Sequence, residues 1–166
     1  MQVTFRRATE ADWPRIWPIF AEVVQAADTY AHDPATDSAT GRAIWLVPPP
    51  DETWLALDAD GTVLGSYKTG ANRAGPGAHI GTASYMVDRG RRGSGVGRAM
   101  VLHSLDRARA LGFRGVQFNA VTASNVHAVR LYSQLGFEIV GRVPGGFRHP
   151  EQGYVDLLVM FCDLTR

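Results

Sequence analysis

Between Arg91 and Met100 the chain reads RRGSGVGRAM, three glycines at alternate positions among arginines, ahead of a run with helical spacing. A glycine-rich turn between a strand and a helix leaves main-chain N–H groups converging on one spot. The dipole of the following helix makes that spot attractive to an anion, typically a phosphate. Glycine suits the turn because a side chain would block close approach and oppose the backbone angles. Two phosphate-binding patterns fail here. A P-loop needs G-x-x-x-x-G-K-[ST], and no lysine follows these glycines. The dinucleotide fingerprint G-x-G-x-x-G would need glycine at Arg98 or Met100, and an acid about 20 residues on, where RGVQFNAV has none. The spacing that fits is [RQ]-x-x-G-x-[GA], through Arg92, Gly95 and Gly97. A basic surface turn is the plain alternative.

A second constellation lies in NVHAVRLYSQLGF, from Asn125 to Phe137. Asn125 and Tyr132 differ by only about 20° around a helix and lie roughly 10 Å apart along it. An amide at the helix start and a phenol two turns later can therefore meet one long ligand. Asn125, Ala128, Tyr132, Gly136 and Phe137 fit N-x-x-A-x-x-x-Y-x-x-x-G-F, about 30 residues after the glycine loop. With both motifs in place the chain resembles the GCN5-related N-acetyltransferase (GNAT) family. The likeness is strong from Ile80 to Phe137, loose over the flanking strands and weakest over residues 10 to 50.

The resemblance implies an acetyl-CoA-dependent N-acetyltransferase. Its co-substrate's pyrophosphate would lie on Arg92, Gly93, Ser94, Gly95, Val96, Gly97 and Arg98, with Arg91 assisting. Asn125 would contact the pantetheine arm, Ala128 belongs to the same surface, and main-chain groups of Val87 would pair with pantetheine. The amine attacks the thioester directly, with Tyr132 as general acid toward the coenzyme A thiolate. The oxyanion would be held by a strand N–H near Met86 or Val87. ADTY, FNAV and GGFRHP with GYVD look like the branch that acetylates small amines, including enzymes similar to phosphinothricin acetyltransferases and fungal enzymes acting on proline analogues. The fungal group has asparagine where this chain has Thr82, which speaks against a proline analogue. The implied partner is a small-molecule amine, an amino acid or a toxic analogue, and a homodimer is common in the family.

The acceptor side is less marked. An attacking amine must lose a proton, and Asp28, Tyr30, His79, His149 and Asp156 are the candidate bases. Asn119, an amide within the apolar run VQFNAV, reads as an active-site contact or a hydrogen-bonded core amide, because burying it unpaired is costly. Arg73 and Arg148 are candidate hooks for a carboxylate.

These residues need a frame. VTFRRA reads as a strand, followed by a helix with Thr9 at its N-cap, kinked or divided at Pro18. A short helix spans about Ala39 to Leu46, ended by VPPP. TWLALDA and TVLGSYKTG flank an Asp-Gly hairpin turn. HIGTASYMV is a strand that leads straight into the glycine loop. The helix after the loop places Val101, Leu102, Leu105, Ala108 and Leu111 on one face and stops at Gly112. FRGVQFNAV is a strand, the asparagine helix follows, FEIVGRV is a strand, PGGFRHPEQG a loop and YVDLLVMFCDL a final strand. The order predicts one α/β (α+β) domain over 1–166, a mixed central β-sheet flanked by helices.

Composition narrows the function. A length of 166 residues with 45% apolar and 20% charged content suits one soluble domain. A net charge of +1 and the lack of aromatics among the loop arginines argue against nucleic acid. No run approaches the roughly 20 apolar residues of a membrane span. Cys162 is the only cysteine, so no disulfide framework is implied, and a cytoplasmic location is expected. No metal-ligand pattern is present. The second functional reading is a non-catalytic acyl-CoA-binding sensor or partner module.

Overall fold

The computed structural model describes residues 2–166; Met1, the first residue of the expected domain, lies outside them. In chain order come β1 (Thr4–Arg7), α1 (Trp13–Ala26), α2 (Ser38–Trp45), β2 (Glu52–Leu57), β3 (Val63–Ala71) and β4 (Ile80–Val87). Then follow α3 (Val96–Ala110), β5 (Gly115–Thr122), α4 (Val126–Gln134), β6 (Glu138–His149) and β7 (Gly153–Asp163). All strands join one seven-stranded sheet in the order β1-β2-β3-β4-β5-β7-β6. Every pairing is antiparallel except β4 with β5. The mixed sheet flanked by helices is as the sequence predicts.

Alternation along the strands assigns the two faces. Leu55, Val63 and Met86 pack with Trp13, Ile16, Phe20, Val24 and Trp45 beneath α1 and α2. Their neighbours Ala56, Leu64 and Tyr67 pack on the other face with Val96 and Met100 of α3. Farther across that face, Val101, Leu105 and Ala108 meet Val116, Phe118 and Met160, with α4 laid against the same cluster through Leu131 and Tyr132.

Two carboxylates tie the N-terminal half together. Glu52 is fully buried and accepts from Arg107 at 2.8 and 3.1 Å, from Trp54 at 2.7 Å and from Arg7. Asp12 accepts from Arg6 at 2.6 and 2.8 Å and from the Thr9 main-chain N–H at 2.8 Å.

Four local expectations change. Thr9 heads a single 3₁₀ turn, Glu10–Asp12, and Asp12 occupies the N-cap position of α1. That helix runs unbroken through Pro18. Pro14 and Pro18 are both exposed, so the Pro14 carbonyl freed by the missing N–H faces water. In α3 the buried face is Val96, Met100, Val101, Ser104, Leu105 and Ala108, while Leu102 and Leu111 are exposed. Finally, β6 does not end at Val143. It pairs with β7 out to His149, and a register shift between Val143 and Phe147 takes Pro144, which has no N–H, out of the ladder.

Candidate functional site

The parallel junction in the sheet is short. β4 and β5 pair only at Ile80 with Gly115 and at Gly81 with Val116, and beyond that they part. The main-chain groups of β4 that face this gap follow from its antiparallel ladder with β3. Asp88 N–H donates to Leu64 O at 2.9 Å, and Met86 lies opposite Ser66. Thr82, Ser84, Met86 and Asp88 therefore bond toward β3, whereas Tyr85 and Val87 turn their N–H and C=O into the gap. Val87 thus has its main-chain groups on the gap side. The Met86 N–H is not available for an oxyanion, because it belongs to the β3 ladder, and the Met86 side chain is in the core. The Tyr85 N–H, one residue earlier, faces the gap.

That N–H already has a partner. The Tyr30 hydroxyl accepts from Tyr85 N–H at 2.9 Å and donates to Tyr85 O at 2.6 Å, reaching the gap from the segment between α1 and α2. Burial raises the Tyr30 phenol pKa, and the nearby Tyr132 phenol adds to the rise. Tyr30 is thus a neutral donor and acceptor and not a base.

The glycine loop closes one end of the gap. Gly93 and Gly95 have φ of 76° and 88°, the left-handed region that opposes a side chain, and Gly95 is the N-cap residue of α3. The Arg92 N–H donates inward to Arg89 O at 3.3 Å and the Ser94 N–H to Arg91 O at 3.3 Å. Those two amides serve the loop's own turn, which departs from a cradle using every amide from Arg92 to Gly97. The amides left to face an anion are those of Gly93, Gly95 and the first turn of α3: Val96, Gly97 and Arg98. Arg91, Arg92 and Arg98 are exposed around them, and none forms an ion pair among the described residues.

α4 forms the far wall. Asn125 caps it, its side-chain oxygen accepting from Ala128 N–H at 3.3 Å, which leaves the side-chain N–H groups for a ligand. Tyr132 stands against Phe118 (ring centroids 4.6 Å), Phe137 (5.8 Å) and Tyr85 (6.2 Å). Burial raises its phenol pKa. The loop, β4, Asn125 and Tyr132 are thus brought around one gap.

The acceptor-side expectations fare differently. Asn119 is exposed and not a core amide. The β5–β7 register shifts between Phe118 and Val121, so Asn119 lies at a bulge. There it donates to Asn72 Oδ1 at 2.6 Å and accepts from Gln117 at 2.9 Å, at the margin of the gap on the α1–α2 face. Asp28 accepts from Arg89 at 3.4 Å. Asp156 is held below the usual carboxylate range by Arg142 at 2.7 Å and by Gly145 N–H at 2.9 Å. The His149 ring accepts from Glu151 and Gln152 N–H at 3.2 Å, and His79, Arg73 and Arg148 are exposed.

Two groups on the α1–α2 face were not singled out by sequence reasoning. His32 stacks on Tyr30 (5.8 Å, interplanar 7°), and burial together with the Lys68 charge lowers its pKa below the ordinary 6.5. Lys68 lies half-buried in β3 and donates to Ile44 O at 2.7 Å. The available signal was a lysine two residues from Ser66 and from Gly70, on a strand buried along both faces.

Comparison with known proteins agrees with this architecture. The acetyltransferase (GNAT) family profile matches residues 13–137, and the chain belongs to that family. The N-acetyltransferase aca1 of Schizosaccharomyces pombe is 30% identical over 68% of this chain, a match that spans only 54% of that longer protein. An L-methionine sulfoximine/L-methionine sulfone acetyltransferase of Pseudomonas aeruginosa is 32% identical over 87% of this chain and 85% of its own length. Among solved structures, a GCN5-related N-acetyltransferase from Kribbella flavida superposes with a TM-score of 0.94 at 48% identity, covering 98% of both chains. A phosphinothricin acetyltransferase from Sinorhizobium meliloti, solved with acetyl-CoA, gives 0.85 at 26% identity over 98% of this chain and 89% of its own. No helix among the described residues is long and apolar enough to cross a membrane.

Proposed function

We propose that the protein transfers the acetyl group of acetyl-CoA to the amine of a small amino acid or amino-acid analogue. The observation that carries this reading is the gap itself. β4 main chain without a strand partner lines one side, Tyr132 and Asn125 the other, and an anion-attracting loop lies at its end. A pantetheine arm placed there takes the role of a strand against Val87, and its pyrophosphate reaches the amides of Gly93, Gly95, Val96, Gly97 and Arg98. The relatives that acetylate methionine sulfone or phosphinothricin support an amino-acid-like acceptor.

The reaction follows from the residues around the thioester. The amine enters from the α1–α2 face, where His32, neutral at neutral pH, is the imidazole available to take its proton. Attack at the thioester carbon places negative charge on the oxygen, and the Tyr85 N–H, released from the Tyr30 hydroxyl, stabilises it. Collapse expels the coenzyme A thiolate, which Tyr132 protonates; its raised pKa keeps the phenol loaded with a proton over the working range. Asn119 contributes from the margin of the gap as a contact to the acceptor.

A thermal-shift screen with acetyl-CoA, followed by turnover over an amine panel, tests the reading. Ligand that binds only the folded chain raises Tm by mass action. No shift at saturating acetyl-CoA refutes it.

A further inference from the structure

A pocket of about 90 Å³ opens beside the gap on the α1–α2 face, lined in part by Lys68, Thr69, Asp51, Thr82 and Ser84. That is room for a small polar group. Lys68 lies directly opposite Ser84 across the β3–β4 ladder, and Tyr85, whose N–H faces the gap, is the next residue. The lysine's surroundings are unusual for a cation. Its ammonium donates to the Ile44 carbonyl at 2.7 Å, lies 5.7 Å from the Trp45 ring centroid, and forms no ion pair among the described residues. Asp51 lines the same pocket at its other end, against Gly70, which pairs with Thr82. Lys68 is thus anchored at the residue pair beside Tyr85, and Asp51 contacts the strand two residues farther along β3, at Gly70.

A half-buried ammonium whose one hydrogen bond goes to a neutral carbonyl is costly even with the Asp51 carboxylate attracting it from within the pocket, and an anionic ligand offsets that cost. Asp51 repels an anion from the outer end, which leaves the inner end for it.

We propose that Lys68 holds the carboxylate of the acceptor, so that the chain selects amines bearing a carboxylate close to the reacting nitrogen. This rests on the acetyl-transfer reading of the gap. Lys68 replaces Arg73 and Arg148 as the hook, since both of those are exposed on the surface.

The test uses three matched acceptor pairs differing only in the carboxylate: L-methionine sulfone with 3-(methylsulfonyl)propan-1-amine, L-leucine with 3-methylbutan-1-amine, and L-phenylalanine with 2-phenylethylamine. Thiol release from acetyl-CoA gives kcat/KM for each with wild type, Lys68→Met and Lys68→Arg. A charged hydrogen bond of this kind is worth about 10- to 100-fold in acceptor KM. Wild type should favour the acid of the best pair by at least that factor. Lys68→Met should bring the pair to parity with KM for acetyl-CoA unchanged, and Lys68→Arg should restore part of the preference. Equal or better turnover of the amines by wild type overturns the proposal, as does an undiminished preference in Lys68→Met. Failure to acetylate any acid while acetyl-CoA still raises Tm also overturns it. Absence of any shift with acetyl-CoA instead defeats the acetyl-transfer reading beneath it.

Discussion

Replacing Tyr132 by phenylalanine removes one oxygen and leaves the ring. In the structure the contacts with Phe118, Phe137 and Tyr85 belong to the ring, which the variant keeps. No buried group is orphaned, so stability should change by less than about 0.5 kcal/mol, under about 2 °C in Tm. Catalysis should respond very differently. If the phenol delivers the proton to the departing thiolate, kcat falls by about 10²–10⁴-fold, or about 2.7–5.5 kcal/mol of barrier. Burial raises the phenol pKa above its ordinary 10.0, so the proton is in place throughout an assay between pH 6 and about 9, and the loss should be equal across that range. The assay is thiol release at saturating acetyl-CoA and acceptor, paired with thermal unfolding with and without acetyl-CoA. Unchanged kcat in a folded, acetyl-CoA-binding Tyr132→Phe protein refutes the proton-donor role.

Further perturbations probe other parts of the frame. Gly95→Leu meets no atom within 4 Å at its Cβ but must adopt a φ of 88°; it should cost about 1–2 kcal/mol of stability and abolish the acetyl-CoA-induced rise in Tm, and normal binding would refute the loop assignment. His32→Phe keeps the stack on Tyr30; if His32 takes the acceptor proton, the acidic limb of kcat/KM in wild type lies below pH 6.5 and disappears in the variant, whereas an unmoved limb assigns it to another group. Thermal stability should fall with acid. Arg6 leads in holding Asp12 well below its usual range, and at Glu52 burial pushes the carboxyl up but the bonds from Arg107 and Trp54 outweigh it. Both folded pKa values lie below the unfolded ones, so the stabilisation is complete above the ordinary carboxylate range near pH 4 and is lost as pH drops beneath it. A Tm that stays flat from pH 6 to pH 3 contradicts that linkage.

The glycine loop and the Asn125–Tyr132 helix were legible because each is a local pattern whose geometry follows from spacing alone. Val87 came from the likeness to the family, since β4's own residues do not say which of its amides face the gap. Tyr30 stands in the sequence only as a candidate base; its bonds to Tyr85 are not legible there, because the partner lies 55 residues away and only the packing of the α1–α2 segment brings them together. Met86 as an oxyanion donor fails on parity, which depends on the β3 register and not on β4's own residues. Lys68 escaped because VLGSYK is buried on both faces, so no polar stripe marks the side it occupies. For Asn119 the sequence leaves an active-site contact and a core amide both open, because a β-bulge leaves no trace in VQFNAV. The proline and glycines of PGGFRH signal a loop, yet β7 supplies a partner that carries the strand past them.

The two-pair junction between β4 and β5 makes the sheet mechanically two plates, β1–β4 and β5–β7, with little to join them edge to edge. The pin across the seam is α3, whose Val96 and Met100 belong to the first plate's core and whose Val101, Leu105 and Ala108 belong to the second's. Cooperativity of the whole chain therefore depends on a helix that begins at the anion cradle. Slackening its first turn loosens the coupling between plates as well as the grip on a ligand. Amide exchange in the empty protein should reveal the seam as a boundary between two units of different protection, and a ligand laid along it should merge them into one.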